Sequence, residues 1–196
     1  MDHLQRRCSA LEQFFLNIQG QAGLNILDLS PVSQANVSFI SWLGHRLYCQ
    51  DILASLDEFF GGSNDFFQAQ ENAARAQEFL DQTFAGMESH FHGVLMWDSL
   101  QYLSPTLLDF TIKALHRLMA PEAMMLAFFH SDEKARVVPT HYYRIHDMRT
   151  LSLVDRGSRP IAQFFNNRVI ERSFSDFSSV KFFISRDHLR EVLVRR

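Results

Sequence analysis

Leu24-Asn25-Ile26-Leu27-Asp28-Leu29-Ser30-Pro31-Val32-Ser33-Gln34-Ala35-Asn36 decides the fold. Residues 24–29 form a short, mainly apolar run suited to a buried strand, and Ser30-Pro31 ends it. Val37, Ile40 and Leu43 then fall on one face of a helix over 33–43, which Gly44 stops. His45 to Cys49 reads as a second strand. Strand, turn, helix and strand in immediate succession begin a parallel α/β sheet.

The same alternation continues outward. Leu4, Cys8, Leu11, Phe15 and Ile18 recur at intervals of four and three, which predicts an amphipathic helix over 1–20 whose apolar stripe needs a cover. Leu53, Leu56 and Phe59 lie at helical spacing before a loop at Gly61-Gly62-Ser63-Asn64, and 66–80 reads as helix. Val94-Leu95-Met96-Trp97 is a strand ending on Asp98. Ser104-Pro105 caps a helix carrying Leu108, Ile112, Leu115 and Met119, and 124–129 is another buried strand. Beyond His130 lies a polar, basic connector over 131–148. A strand over 150–154, a helix over 160–172, a strand over 180–184 and a last helix from Ser185 to Arg196 complete the chain. The 19 phenylalanines include six adjacent pairs, among them Phe128-Phe129 and Phe182-Phe183, which on a strand place one ring on each face of a sheet covered on both sides.

With 196 residues, the chain suits one domain: an N-terminal helix over 1–20, a core over 24–130 and a basic part over 131–196. No run approaches the roughly 18 apolar residues of a membrane span. The charged start Met1-Asp2-His3-Leu4-Gln5-Arg6-Arg7 argues against a signal peptide, and two cysteines make no disulfide framework, so a cytoplasmic location is expected. Residues 1–133 hold six of the 19 Lys/Arg and 16 of the 22 Asp/Glu, leaving the last third strongly basic. Either the two parts complement each other within one fold, or the basic part receives an anionic substrate or acidic partner. The absence of an aromatic-plus-basic RNA motif makes nucleic acid the weaker partner.

Three segments in order resemble class I S-adenosylmethionine-dependent methyltransferases. They are 25–36, then Phe91-His92-Gly93-Val94-Leu95-Met96-Trp97-Asp98-Ser99-Leu100-Gln101-Tyr102-Leu103, then Leu115-His116-Arg117-Leu118-Met119-Ala120-Pro121-Glu122-Ala123-Met124-Met125-Leu126. The resemblance implies a Rossmann-like, doubly wound, mostly parallel sheet flanked by helices, with an antiparallel strand near the C-terminus. It also implies S-adenosylmethionine as cofactor where the site is intact. Cofactor contacts carried over by resemblance fall on Asp28 and Ser30 in the loop, on Gln50 or Asp51 for the ribose, on Asp81 for the adenine edge and on Trp97. Asp98, at the carboxyl end of its strand, is the candidate for chemistry or substrate contact.

The family loop follows Asp-x-Gly-x-Gly-x-Gly, because glycine turns sharply and keeps a Cβ out of the cofactor's way. Its glycine positions are occupied here by Ser30, Val32 and Gln34, and no glycine occurs from Leu24 to Leu43. Val32 is expected to project bulk into the cofactor's path. Asp28 and Asp98 each have a plain reading beside the functional one, as caps for the turns that follow. His90 and His92 lack a third ligand at suitable spacing, so zinc is not expected. His141, Tyr142, Tyr143, Arg144 and His146 either line a substrate pocket or belong to a polar loop. Cys49 reads as a structural thiol, and Arg186, Arg190, Arg195 and Arg196 as a solvated face or a phosphate site. Two functions stand. One is a non-catalytic interaction or scaffold subunit with a degenerate cofactor site, meeting a protein partner or a second copy through its N-terminal helix or basic part. The other is an active, divergent methyltransferase acting on a small or anionic substrate.

Overall fold

Side chains alternate across the central strands, and a layer on each face receives them. The computed structural model describes residues 4–61, 65–87, 90–183 and 188–196. Its elements begin with β1 (Leu4–Arg7), α1 (Ser9–Ile18), β2 (Asn25–Asp28), α2 (Gln34–Trp42), β3 (Arg46–Cys49), α3 (Ile52–Phe60), α4 (Phe66–Gln70) and α5 (Ala73–Thr83). They continue with β4 (Phe91–Trp97), a 3-10 turn (Ser99–Tyr102), α6 (Pro105–Leu118), β5 (Met119–His130), β6 (Val137–Asp147), β7 (Thr150–Pro160), α7 (Asn167–Ser173), β8 (Ser179–Phe183) and β9 (Leu189–Arg195).

The central sheet runs β3-β2-β4-β5-β9-β8. Its first four strands are parallel, and β9 lies antiparallel to both neighbours, as expected for the region near the C-terminus. Ile26, Leu95, Leu126 and Phe128 pack with α1 and α2, whereas Leu27, Val94, Met125 and Phe129 pack with α3, α5 and α6. The Phe128-Phe129 pair therefore splits across the sheet, and Phe182-Phe183 does the same. Strand order reverses between β2 and β4. That is the switch point where open α/β sheets form a crevice at their carboxyl ends.

A second sheet, β1-β7-β6, is antiparallel throughout. It lies over the α2 side, where Tyr143, Ile145, Leu151 and Leu153 share a buried cluster with Trp97, Phe128 and α1. The apolar stripe of α1 (Ala10, Leu11, Phe14, Phe15, Ile18) is buried within this same cluster, so the chain covers it itself. No helix among the described residues is long and apolar enough to cross a membrane.

Several expectations are corrected. Residues 4–7 are strand rather than the first turn of the helix, and Leu4 is exposed; Cys8 instead caps α1, its sulfur accepting from the Leu11 N–H. The connector over 131–148 contains β6, whose Val138, Thr140, Tyr143 and Ile145 are buried between exposed neighbours; the polar residues are its outward face. The helix expected over 66–80 is two helices, broken where Asn72 caps α5, and that over 160–172 shortens to α7. The last helix is strand β9. Val192 and Val194 face one core cluster and Leu193 the other, so a period of two governs there. Ser185, Arg186, Ile184 and Gly62-Ser63-Asn64 lie outside the described residues.

Glu122 occupies the left-handed region, with φ of 65°, a conformation that glycine adopts without steric cost. Its carboxylate pairs with Arg195 at an exposed site, where such pairs contribute little. Glu122→Gly is expected to raise stability by about 0.5–1 kcal/mol by relieving backbone strain, measured as a higher midpoint in urea.

Candidate functional site

The carboxyl ends of β2, β3 and β4 bring most of the candidate residues together. Asp28, the last residue of β2, is fully buried. One of its oxygens accepts from the Ser30 hydroxyl at 2.6 Å and from the Trp97 indole N–H at 2.7 Å; the other accepts from the Asn36 amide at 2.8 Å. Burial pushes the Asp28 carboxyl upward, and these three donors oppose that shift.

Asn36, on α2, does more than meet Asp28. Its amide also donates to the Tyr143 carbonyl at 3.0 Å, and its oxygen accepts from the Ile145 N–H at 2.8 Å. One side chain thus joins β2, α2 and β6. The Tyr143 ring stacks on Trp97 with centroids 4.8 Å apart and planes 1° from parallel. Trp97 holds this position with φ of 53°, a strained conformation for a bulky residue and one that clusters at functional sites.

The next strand end is bound as fully. Asp51 caps α3 through the Ala54 N–H and forms a bidentate pair with Arg156 of β7 at 3.1 and 2.6 Å. Arg156 also lies over the Tyr142 ring, and a second β7 arginine, Arg159, pairs with Asp57. Gln50 donates to Ser55 at 2.9 Å. These pairs link the basic C-terminal part to the acidic N-terminal part, which favours internal complementarity as the account of the charge asymmetry.

Asp98 follows Trp97 and is buried beneath the second sheet; the Tyr102 hydroxyl donates to it at 3.3 Å. Burial drives its carboxyl up to about 7, against the opposing influence of its own backbone amide, Tyr143, Tyr102 and Arg156. A carboxyl raised on folding binds its proton more tightly in the native state, so stability falls as pH rises from about 4 to about 7. Replacing it by Asp98→Asn is expected to remove up to about 1.4 kcal/mol per pH unit of that decline, read from urea unfolding at pH 5 and pH 7.5.

Two expected features differ from expectation in their surroundings. Asp81 sits on the exposed face of α5, accepting from Gln77 at 2.7 Å, because no strand among the described residues lies outside β3. Val32 lines the cavity beside the loop together with Tyr143 but is 75% exposed. Among the described residues only Trp97 and Glu122 combine a side chain with positive φ, so the loop over 30–34 avoids the conformation its missing glycines would have required. Two cavities flank the Asp28 network. A cavity of about 410 Å³ lies between residues 30–35 and 142–144, and another of about 460 Å³ lies among Gln50, α3 and α5, with no lining residue in common. Among the described residues no cluster of three His, Cys, Asp or Glu has metal-binding geometry. His92 instead accepts from the Asn25 N–H through a ring nitrogen.

No family model matches the sequence, and no curated protein matches it. Solved structures do. A 1,6-didemethyltoxoflavin-N1-methyltransferase from Burkholderia thailandensis, with bound 1,6-didemethyltoxoflavin and S-adenosylhomocysteine, aligns over 96% of this chain and 78% of its own, with 14% identity and a TM-score of 0.50. The chain has the class I methyltransferase fold. The PH0226 protein from Pyrococcus horikoshii OT3 is similar too, at 13% identity over 95% of this chain and 87% of that one, with a TM-score of 0.53. Within this methyltransferase fold, three residues that organise the crevice have no cofactor contact implied by the resemblance: Asn36, Tyr143 and Arg156. Tyr143 stood in the run singled out as a substrate-pocket candidate; Asn36 stood in the first matching segment, and Arg156 carried no local signal at all.

Proposed function

We propose that this protein is a non-catalytic methyltransferase-fold subunit whose cofactor crevice is closed by its own side chains. The observation that carries the reading is the Asp28 network: the carboxylate spends its accepting capacity on Ser30, Trp97 and Asn36, and Tyr143 lies on Trp97. Asp51, which would receive the ribose hydroxyls, is occupied by Arg156. The cavity beside residues 30–35 and the cavity beside Gln50 share no lining residue, whereas S-adenosylmethionine would span both ends of the crevice. The residues present do not fit the cofactor, and no methyl-transfer step follows from them.

A role in protein assembly suits what remains exposed. Residues 29–44 contain no charged side chain, and within them Val32 and Trp42 are 75% and 77% exposed. Apolar groups set in an uncharged helix and its leading loop offer contact area to a protein partner. A ligand that binds only the native state must raise the melting temperature. Millimolar S-adenosylhomocysteine or S-adenosylmethionine is therefore expected to leave the melting temperature unchanged, and a rise of several degrees would sink this reading.

A further inference from the structure

Cross-strand register fixes which side chains of the second sheet face outward. Arg6, Tyr143, Ile145, Leu151 and Leu153 are buried on its inner side. The alternate residues Gln5, Arg7, Tyr142, Arg144 and His146 therefore stand on the other side, and all five are exposed. Gln5, Ser152 and Arg144 form one row across the three strands, and Arg7 pairs with Thr150 two residues further along. Strand spacing and rise put the Arg7 and Arg144 Cα atoms roughly 12 Å apart. Neither guanidinium belongs to an ion pair among the described residues, in contrast to Arg156 and Arg159, which Asp51 and Asp57 neutralise. Arg149 adds an exposed cation at the β6–β7 turn, where Asp147 accepts from its N–H and partly offsets it. Asp155, the other acid of these strands, acts on His141. The cavity of about 410 Å³ beside residues 30–35 opens at the β6 edge of this face. Tyr142 and Arg144 line it together with Pro31, Val32 and Ala35, and no acidic residue does.

We propose that the outer face of the second sheet, together with this cavity, docks an acidic segment of a protein partner that carries an apolar side chain. Arginines without a counter-charge call for anions, and their forked donors bind carboxylates through paired hydrogen bonds. An extended segment rises about 3.3 Å per residue, so acidic residues four apart span Arg7 and Arg144. The apolar walls of the cavity receive a side chain next to the Arg144 contact, where Val32 is exposed. A nucleic-acid strand suits the face less well, because its bases need successive aromatic platforms. Tyr142 is the one exposed tyrosine, tryptophan or phenylalanine on this face among the described residues, and Arg156 already lies over its ring. The inference rests on the non-catalytic reading above, since a bound cofactor would contest the same cavity.

The test is calorimetric titration of the full chain with a synthetic peptide of glutamates bearing one phenylalanine. Saturable one-to-one binding is expected, weakened at least about tenfold when glutamine replaces the glutamates and at least about threefold when alanine replaces the phenylalanine. Arg144→Glu and Arg7→Glu, both at exposed positions, turn an attraction into a repulsion, and each is expected to weaken binding about tenfold. Arg168→Glu, an equally exposed change on α7, is expected to leave the affinity within about twofold, because screening confines each charge to its own surroundings. Absence of saturable binding overturns the proposal, as does a loss for Arg168→Glu equal to that for Arg144→Glu. Tighter binding of oligouridylate than of the peptide assigns the face to nucleic acid and overturns it too. So does a dimer of the protein alone that Arg144→Glu dissociates, which assigns the face to a second copy. S-adenosylhomocysteine titrated in parallel separates the two readings: its binding sinks the non-catalytic reading, whereas a failed peptide titration without such binding sinks only the acidic partner. Melting curves of the three variants distinguish a lost face from a lost fold.

Discussion

Glu191→Ala is expected to destabilise the protein by about 3–5 kcal/mol, the usual cost of removing one partner from a buried ion pair. Glu191 and Arg6 are paired at 2.8 Å with side-chain exposures of 3% and 6%. The second Glu191 oxygen accepts from the Ala10 N–H at the start of α1, and Arg6 donates to the Leu189 carbonyl at 2.8 Å. The pair therefore fastens β1, α1 and β9 to one another, the junction of the two sheets. Removing the carboxylate leaves the Arg6 guanidinium in a low-dielectric site beside Phe128 without its counter-charge. The double variant Arg6→Met/Glu191→Leu is expected to recover most of the loss, because no charge stays buried, while the Ala10 N–H still lacks its acceptor at a cost of about 1 kcal/mol. Urea unfolding of the two variants checks both figures. A loss below 1 kcal/mol for Glu191→Ala contradicts this account of the junction.

Asn36→Ala is the second change with a large expected effect, also about 3–5 kcal/mol. It strips bonds from three buried groups at once: an Asp28 oxygen, the Tyr143 carbonyl and the Ile145 N–H. Each loses a partner in a place water does not reach, at roughly 1–3 kcal/mol per group, with partial relaxation keeping the sum below the maximum. Asp28 is the most exposed to this change in physical terms, because burial already raises its pKa and the Asn36 donor opposes that shift. The variant's loss is therefore expected to grow as pH rises, where the carboxylate must carry its charge with one donor fewer. Chemical denaturation at pH 5 and pH 8 measures the difference; an equal loss at both contradicts the network's role in holding that charge.

Local signals carried the central strands and failed at the periphery. The run from Leu24 to Leu29 has one physical solution, and the Phe128-Phe129 pair declared a sheet covered on both sides. The residues of β9 did not declare themselves, since Leu189, Val192 and Leu193 suit a helix face equally well, and pairing with β5 and β8 overrode the local preference. β6 was hidden for another reason. Its exposed face carries Tyr142, Arg144 and His146, which read as a polar connector until the burial of Tyr143 and Ile145 is known. At the site, Asp28, Ser30 and Trp97 were legible from motif position, and the structure joins them. The missing glycines pointed to Val32, and Val32 does line the cavity beside the loop, but Tyr143 lines it too and stacks on Trp97. Tyr143 arrives from a strand over a hundred residues downstream in a separate sheet, so spacing within the loop carries no trace of it. The Arg6 to Glu191 pair runs against the overall charge division, and for that reason composition gave no hint of it.

The protein has two tryptophans, Trp42 exposed and Trp97 buried, so their indole N–H groups give separate reporters of surface and crevice. Hydrogen exchange at these two groups, followed by NMR with and without millimolar S-adenosylmethionine, tests the closed crevice most directly. With Trp97 donating to Asp28 beneath Tyr143, its indole proton is expected to exchange at least a hundredfold more slowly than that of Trp42, and neither its rate nor its chemical shift is expected to change with the cofactor. Fast exchange at Trp97, or a saturable shift of its resonance on adding S-adenosylmethionine, would contradict the account.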